Sequence, residues 1–420
     1  MPELVKDHAS PVVRNGFFAK QDTLNPTIVT PKSVPIQKRW ELAKFRAMLK
    51  LVLAYLCYPF WGAERVGHWF GIVPYLPVSG LQFIDQTFTP PERFDYARCH
   101  GGGDENFWDR PTPSHVTLNH TLLIPEGSAD QDGFVFGRNS RPVLEACHPF
   151  RQRMKYRRRR WRDSVPVAYR TRHPRPRYFS GRIAVLTSQN QHQYSHWLFD
   201  VLPRLAKVQE FYGKTDYYFL QYSHPFQVET INQLGCISES QIVNSMQIPW
   251  VCGDELVVPC HQIFFGYHFP WWVCKWLRET FLPMQDVCLK PKRKIYVSRV
   301  LAERRLVTNE RELVDFLCQQ GFEIYVLEEF SFVEQVALFQ DAEVIVAPHG
   351  SGLANLVFCD PGTHVIELFP ARATDAYFRL SVDMDLKYTC IKTRDIISHP
   401  RVSDNFSICV EDVRDALSQD

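Results

Sequence analysis

Residues 322–369 read FEIYVLEEFSFVEQVALFQDAEVIVAPHGSGLANLVFCDPGTHVIELF. Three short apolar runs stand out, FEIYVLE (Phe322 to Glu328), EVIVAP (Glu343 to Pro348) and HVIELF (His364 to Phe369). Continuous runs of this length, rich in β-branched residues, predict strands buried on both faces. Ser331 followed three residues later by Glu334 predicts a capped helix running through Gln340, and a second helix is expected from about Gly352 to Phe358. Strand, helix, strand in regular alternation predicts a parallel sheet covered by helices on both faces.

The pattern extends in both directions. Upstream lie the strand KRKIYVS (Lys292 to Ser298) and the helix ERELVDFLCQQ, with Asn309 and Glu312 as its capping signal and Gly321 as its stop. Downstream come a helix near Asp375 to Met384, the strand KYTCIK (Lys387 to Lys392) and a short helix in EDVRDALSQ. The DMD at 383–385 reads as surface charge. Earlier still, RIAVLTS (Arg182 to Ser188) predicts a buried strand, followed by YSHWLFDVLPRLAKVQEFYG (Tyr194 to Gly213) with Trp197, Val201, Leu205 and Val208 at helical spacing. Pro203 should kink or divide that helix. DYYFLQ, a helix near Phe226 to Leu234 closed by Gly235, and a helix from about Pro270 to Phe281 complete a first half of the same architecture. Residues 71–150 differ, with short apolar runs between PP, GGG, PTP and PEG, which predicts short strands joined by turns.

Composition narrows the class. The chain has 420 residues, 45% hydrophobic and 22% charged, enough for two or three domains, so a disordered chain or a minimal disulfide scaffold is excluded. A net charge of +2 gives no general reason to expect nucleic acid. One tract, Arg151 to Arg177, carries twelve Lys or Arg against Asp163 alone, while the rest of the chain is mildly acidic. With Pro166, Pro174 and Pro176 in it, the tract is expected as an exposed loop or clamp. Twelve cysteines from Cys57 to Cys409 show no CxxC pair, which fits reduced thiols and a cytoplasmic protein. No secretory signal is evident, and the best apolar run, Leu51 to Tyr58, is shorter than the roughly 20 residues a span requires. A basic and aromatic helix near residue 45 either packs on the protein or lies in a membrane interface.

Chemistry concentrates at the strand ends. Ala347 to Phe358, APHGSGLANLVF, runs from a strand through His349, Gly350, Ser351 and Gly352 into a helix. Backbone N–H groups converge there beside small residues, an arrangement suited to phosphate or else to a plain structural turn. Arg299 follows the strand KIYVS directly, and Arg304 and Arg305 lie in the loop beyond, as diphosphate ligands or as solvated charge. Glu367 inside HVIELF either bonds neighbouring backbone or accepts from two ribose hydroxyls. His196 and Asp200 stand four apart on one helix, with His192 a turn earlier. They read as a base with its orienting carboxylate, a substrate contact, a satisfied structural histidine, or, least, half of a zinc site with no third ligand.

These residues resemble glycosyltransferase family 61, which includes bacterial capsular and exopolysaccharide transferases and plant and animal relatives. The similarity lies in YSHWLFDVLPRL, KRKIYVSR and the run from RRLVTNERELV to HVIELFP, and covers roughly residues 181–392. It implies an α/β, GT-B-like fold: two Rossmann-like lobes facing a cleft, with an irregular N-terminal extension containing short β-strands. The expected division is a lead-in at 1–70, an acceptor-side lobe at 71–285 including the basic insert 151–177, a donor lobe at 286–392 and a tail helix at 393–420. By the same resemblance the activity is inverting, metal-independent transfer from a nucleotide sugar to a glycan or lipid-linked glycan in polysaccharide biosynthesis, with no cofactor and no nucleic-acid partner. Arg299, Arg305, His349, Gly350, Ser351 and Gly352 would face the diphosphate, Asn355 would support the helix start, and Glu367 would reach the ribose. His196 and Asp200 would be catalytic on the acceptor side. Ser351 stands where the family commonly has Ala. The basic insert and the basic helix have no counterpart in the family; under the transferase reading the tract could hold an acidic or lipid-diphosphate acceptor, in a cytoplasmic protein peripheral to the inner membrane face. Two other readings stay open: a polyanion- or lipid-binding protein, and a nucleotide-sugar epimerase or hydrolase of the same fold.

Overall fold

The computed structural model describes residues 98–100, 121–137, 175–212, 215–259, 269–282, 292–371, 373–395 and 404–418. The helix expected near residue 45 and most of the basic tract lie outside them. Arg177, the last base of that tract, opens strand β5.

Two sheets organise the described chain. The first holds β2 (Thr121–Pro125), β3 (Ser128–Asp130), β4 (Val135–Phe136), β5 (Arg177–Val185), β6 (Tyr217–Leu220), β7 (Ile242–Asn244) and β8 (Trp250–Pro259), in the order β4-β3-β8-β5-β6-β7 with β2 also on β8. Its centre is parallel, β8-β5-β6-β7, while β2 and β3 run antiparallel to β8. The short strands expected in 71–150 are thus an antiparallel flank. The second sheet is wholly parallel, in the order β1 (Arg98–His100), β13 (Lys387–Lys392), β12 (His364–Phe369), β11 (Ala342–Pro348), β9 (Arg293–Ser298), β10 (Glu323–Val326). Its strands read as buried runs because helices cover both faces. The mixed α/β expectation holds, with two parallel-rich sheets.

In the parallel part of each sheet, β5 to β8 and β9 to β13, the chain starts at an inner strand, builds one way, and returns on the other side. The reversal lies between β9 and β11 in the second sheet and between β5 and β8 in the first. Open α/β sheets leave a crevice at the carboxyl ends of the strands flanking such a reversal. Arg299 follows β9 and His349 follows β11, so the second reversal carries both motifs.

The helices follow expectation with informative shifts. The YSHWLFDVLPRL segment is α1 (Tyr194–His196), a π turn (Trp197–Val201) and α2 (Leu202–Tyr212). The N–H of Leu202 bonds Trp197 O, and Pro203, which has no N–H to continue the ladder, comes next. Ser331 and Glu334 form the expected reciprocal cap on α6 (Phe332–Gln340). Asn309 does not cap α5 (Glu310–Gln319). Its amide binds Ile408 on both sides, donating to the carbonyl (2.8 Å) and accepting from N–H (2.9 Å). That ties the C-terminal segment to the second lobe. Phe406, Ile408 and Val413 join the cluster around Tyr296 and Phe316. β1, from the stretch assigned to the first lobe, pairs with β13 and covers an otherwise open edge. Among the described residues no helix is long and apolar enough to cross a membrane.

One hydrophobic cluster joins the two sheets, running from Ala184, Trp197 and Leu205 to Val297, Leu353 and Phe369. Polar contacts pin the same seam. Tyr194 Oη donates to Asn355 Oδ1 at 2.6 Å, and Asn355 is fully buried. Glu229 of α3 (Pro225–Leu234) accepts from the N–H of Phe332, at the start of α6, at 2.6 Å. Arg278 of α4 (Trp271–Phe281) donates to Val357 O and Cys359 O at 2.8 and 2.7 Å.

Asp383, read as surface charge, is half-buried at the end of α7 (Ala376–Asp383). Burial pushes its carboxyl up to about 7, with Arg379 pulling it back. Because the folded-state value is raised above the ordinary 3.8, the fold binds the proton more tightly, and the stability this lends is lost as pH rises through about 7. Asp383→Asn, neutral at every pH, should be more stable than the parent above pH 7 and match it below 3.8, in denaturation curves at several pH values. Tyr194→Phe strands the buried amide oxygen of Asn355 and should cost about 1–3 kcal/mol in urea unfolding.

Candidate functional site

The site begins where β9 ends. Tyr296 and Ser298 both donate to Glu310 Oε1 at 2.8 Å, which fixes the strand end against the start of α5. The chain then turns, with Ala302 N–H on Arg299 O at 2.8 Å, and sends the Arg299 side chain back over the neighbouring strand. Its landing place is Gly350, where a Cβ would run into the guanidinium at Nη1. Gly350 is extended, at φ −177°, so what it supplies is space and not an unusual backbone angle.

Arg299 Nη2 donates to Arg304 O at 3.1 Å, while Nε is buried with no hydrogen-bond partner. Burial depresses its pKa, the neighbouring cations Arg305 and Arg304 depress it further, and Glu328 and Tyr377 oppose them. A half-buried guanidinium that still has a donor to spend, with more positive charge beside it, is an arrangement that an anion completes. Of the sequence candidates, Arg299, Arg305, His349 and Gly350 come together here.

The second glycine serves a different end. A Cβ on Gly352 would meet Leu327 Cδ1 at 2.7 Å, so its missing side chain admits a core leucine and not a ligand. Ser351 and Gly352 start a 3-10 helix, Ser351–Phe358, instead of an α-helix. Its interior from Leu353 to Phe358 is buried, and Asn355 holds it by donating to Gly352 O (3.1 Å) and Gln335 Oε1 (3.0 Å).

Glu367, expected at the ribose, lies on β12. It is fully buried, with His349 Nδ1 at 2.5 Å from Oε1 and the Tyr388 hydroxyl on Oε2. Sheet register explains the set. Glu367 lies opposite Ala347 and Tyr388 opposite Val365, so period-two alternation places His349, Glu367 and Tyr388 on one face. The His349 ring is stacked on Phe369, centroids 5.0 Å apart, and tilted against Tyr377 at 5.4 Å. Nε2 is 3.4 Å from Thr374 Oγ1. Burial raises the pKa of Tyr377, Glu367 adds to the rise, and a hydrogen bond with the Ser195 side chain opposes it. Ser195 belongs to α1, so the first lobe reaches this cluster as well.

His196 and Asp200 are both buried, at 7% and 3% exposure. Asp200 Oδ2 sits 3.2 Å from Arg204 Nη2, and Arg204 is itself 1% exposed, donating to Leu186 O at 2.5 Å. The Asp200 carboxylate is thus the counter-ion of a guanidinium that caps the end of β5. Removing either partner would leave the other charged and buried. His192, the other half of the zinc reading, is exposed. Among the described residues no three His, Cys, Asp or Glu side chains are grouped to hold a metal. Tyr388, Tyr377, Ser195 and Tyr194 were not singled out in the sequence. Only the strand register and the lobe contact bring them in.

Gly350→Ala meets the mobile end of a side chain and not backbone, so it should cost the fold less than about 1 kcal/mol. The displaced guanidinium should weaken binding of inorganic pyrophosphate at least about tenfold in calorimetric titration, as loss of a charge-assisted hydrogen bond would.

Residues 194–366 match the family model Glycosyltransferase 61. Curated relatives include protein O-linked-mannose β-1,4-N-acetylglucosaminyltransferase 2 of Takifugu rubripes, 38% identical over 85 residues, which is 19% of this chain and 14% of the relative. The protein of that name from Tetraodon nigroviridis is 41% identical over 70 residues, 16% of this chain and 12% of the relative. The Homo sapiens protein is 29% identical over 111 residues, 23% and 19% of the two chains. The chain thus spans less than a fifth of the length of these relatives. The matched residues contain β9, β11, the 3-10 helix and α1, the elements that build the arginine and histidine cluster, and the chain carries a domain of glycosyltransferase family 61.

Proposed function

We propose that this protein transfers a sugar from a nucleotide-sugar donor to a hydroxyl of a glycan acceptor, with inversion and without a divalent ion. The observation that carries the reading is Arg299, half-buried, with its Nε closed to solvent and unpartnered and with Arg305 beside it, at the strand-end reversal of a wholly parallel sheet. As the bond between the anomeric carbon and the diphosphate breaks, negative charge grows on the departing oxygen. Fixed cations aimed at that place stabilise the transition state more than the ground state. Arg299, Arg305 and the backbone of the His349 to Gly352 turn fill this role, where other transferases use a metal. The two lobes would face each other in GT-B manner, with the donor on the second sheet and the acceptor entering from the α1 side.

The named relatives favour N-acetylglucosamine as the sugar and a mannose-bearing acceptor. The capsular and exopolysaccharide setting implied by the sequence resemblance finds no support among them. UDP-N-acetylglucosamine and O-mannosylated peptide are therefore the first pair to test.

UDP-N-acetylglucosamine should raise the melting temperature, and both that stabilisation and turnover to a β-linked product should persist in EDTA. Arg299→Ala should reduce turnover about 100-fold or more while the protein stays folded by circular dichroism. Turnover lost to EDTA and restored by magnesium or manganese would refute the metal-free mechanism. Nucleoside diphosphate release that ignores every acceptor would instead indicate a hydrolase.

A further inference from the structure

We infer that His349 is a proton-accepting residue facing a substrate hydroxyl, held in that role by Glu367 and Tyr388, and not a ligand of the diphosphate. The inference deepens the transferase reading and rests on it for the identity of the hydroxyl.

A carboxylate only accepts hydrogen bonds. Glu367 has its two oxygens engaged separately, Oε2 by the Tyr388 hydroxyl and Oε1 by His349 Nδ1 at 2.5 Å. Nδ1 therefore carries the proton, and the lone pair of the ring is left on Nε2. A phosphate oxygen offers no hydrogen to that lone pair, whereas a hydroxyl does. Thr374 Oγ1, 3.4 Å from Nε2, is a hydroxyl already standing on that side of the ring.

The ring is not free to turn and exchange its nitrogens. Phe369 is stacked against it at an interplanar angle of 21°, Tyr377 bounds it at 5.4 Å, and Glu367 behind it is fully buried. Nucleophile, base and a third group that orients the base form the usual chain for activating a hydroxyl, and here the last two are in place. The titratable and charged neighbours are Glu367 on β12, Tyr388 on β13, Tyr377 on α7 and, from the loop after β9, Arg299 and Arg305. The 3-10 helix following His349 packs against α1, which carries Tyr194 and His196.

In the step this implies, the acceptor oxygen bonds to the anomeric carbon as its proton passes to His349 Nε2. The bond from that carbon to the diphosphate oxygen breaks, and its electron pair leaves with the diphosphate, beside Arg299. Glu367 and Tyr388 touch no substrate and act as positioning residues.

Two measurements test the assignment. Nitrogen-15 NMR of the histidine rings, with His349 identified by its loss in His349→Gln, should show the proton on Nδ1 and a lone pair on Nε2. The tautomer ratio should shift in Glu367→Gln and, as a milder variant should the first not fold, in Tyr388→Phe. A proton fixed on Nε2, or a spectrum indifferent to both variants, overturns the inference whatever the donor is. In kinetics with UDP-N-acetylglucosamine, His349→Gln should lower kcat about 100-fold or more, leave the affinity for UDP within about threefold, and regain turnover in His349→Gly with added imidazole. A loss of UDP affinity with kcat unchanged would place His349 on the phosphate and overturn the inference. Failure of UDP to bind the parent protein would count against the transferase reading, and the ring spectrum would then decide this one.

Discussion

A short buried helix with polar groups that must be satisfied governs how the two halves of this protein meet. The 3-10 helix Ser351–Phe358 has its interior walled in from Leu353 onward. Asn355 lies at its centre with no exposure, so the acceptor and donors of its amide all need partners inside the protein. Two come from its own lobe, Gly352 and Gln335, and the third is the Tyr194 hydroxyl from the other lobe. The far end of the helix leaves carbonyls at Val357 and Cys359, and Arg278 of the other lobe caps them. Separating the lobes would expose apolar surface and strand polar groups at once.

That constraint also positions the chemistry. The turn leading into the helix carries His349 and Gly350, and each is held from a different direction. Arg299 crosses from β9 onto Gly350, because the neighbouring strand ends leave room there for a guanidinium only when residue 350 has no side chain. Glu367 and Tyr388 reach His349 across β12 and β13, because parallel register puts all three on one face. Ser195 arrives with α1 and meets Tyr377, which borders the His349 ring. The turn thus brings the Arg299 guanidinium and the His349 imidazole together at the end of one strand.

Much of this was legible in the sequence because its signals are local. Apolar runs of five to seven residues, the Ser331 and Glu334 cap, and glycines at 235 and 321 where helices end with φ of 60° and 81° are set by neighbours in the chain. The less successful expectations share the opposite character. Asn309 fits a capping pattern, yet it is drawn to Ile408, 99 residues away. Gly352 fits a phosphate-turn pattern, yet Leu327 fills its place.

The amino-acid sequence by itself determined the alternation of strand and helix, the parallel sheet, the family, and the strand ends where reactive residues gather, since each follows from periodicity and residue type over a few positions. Tertiary structure alone decided which side chains face each other: that Arg299 lies on Gly350, that Glu367 is fully buried behind His349, and that Tyr194 and Ser195 reach Asn355 and Tyr377 of the other lobe. Those pairings depend on sheet register and on the docking of two cores, and no short window of sequence encodes distances between residues so far apart in the chain.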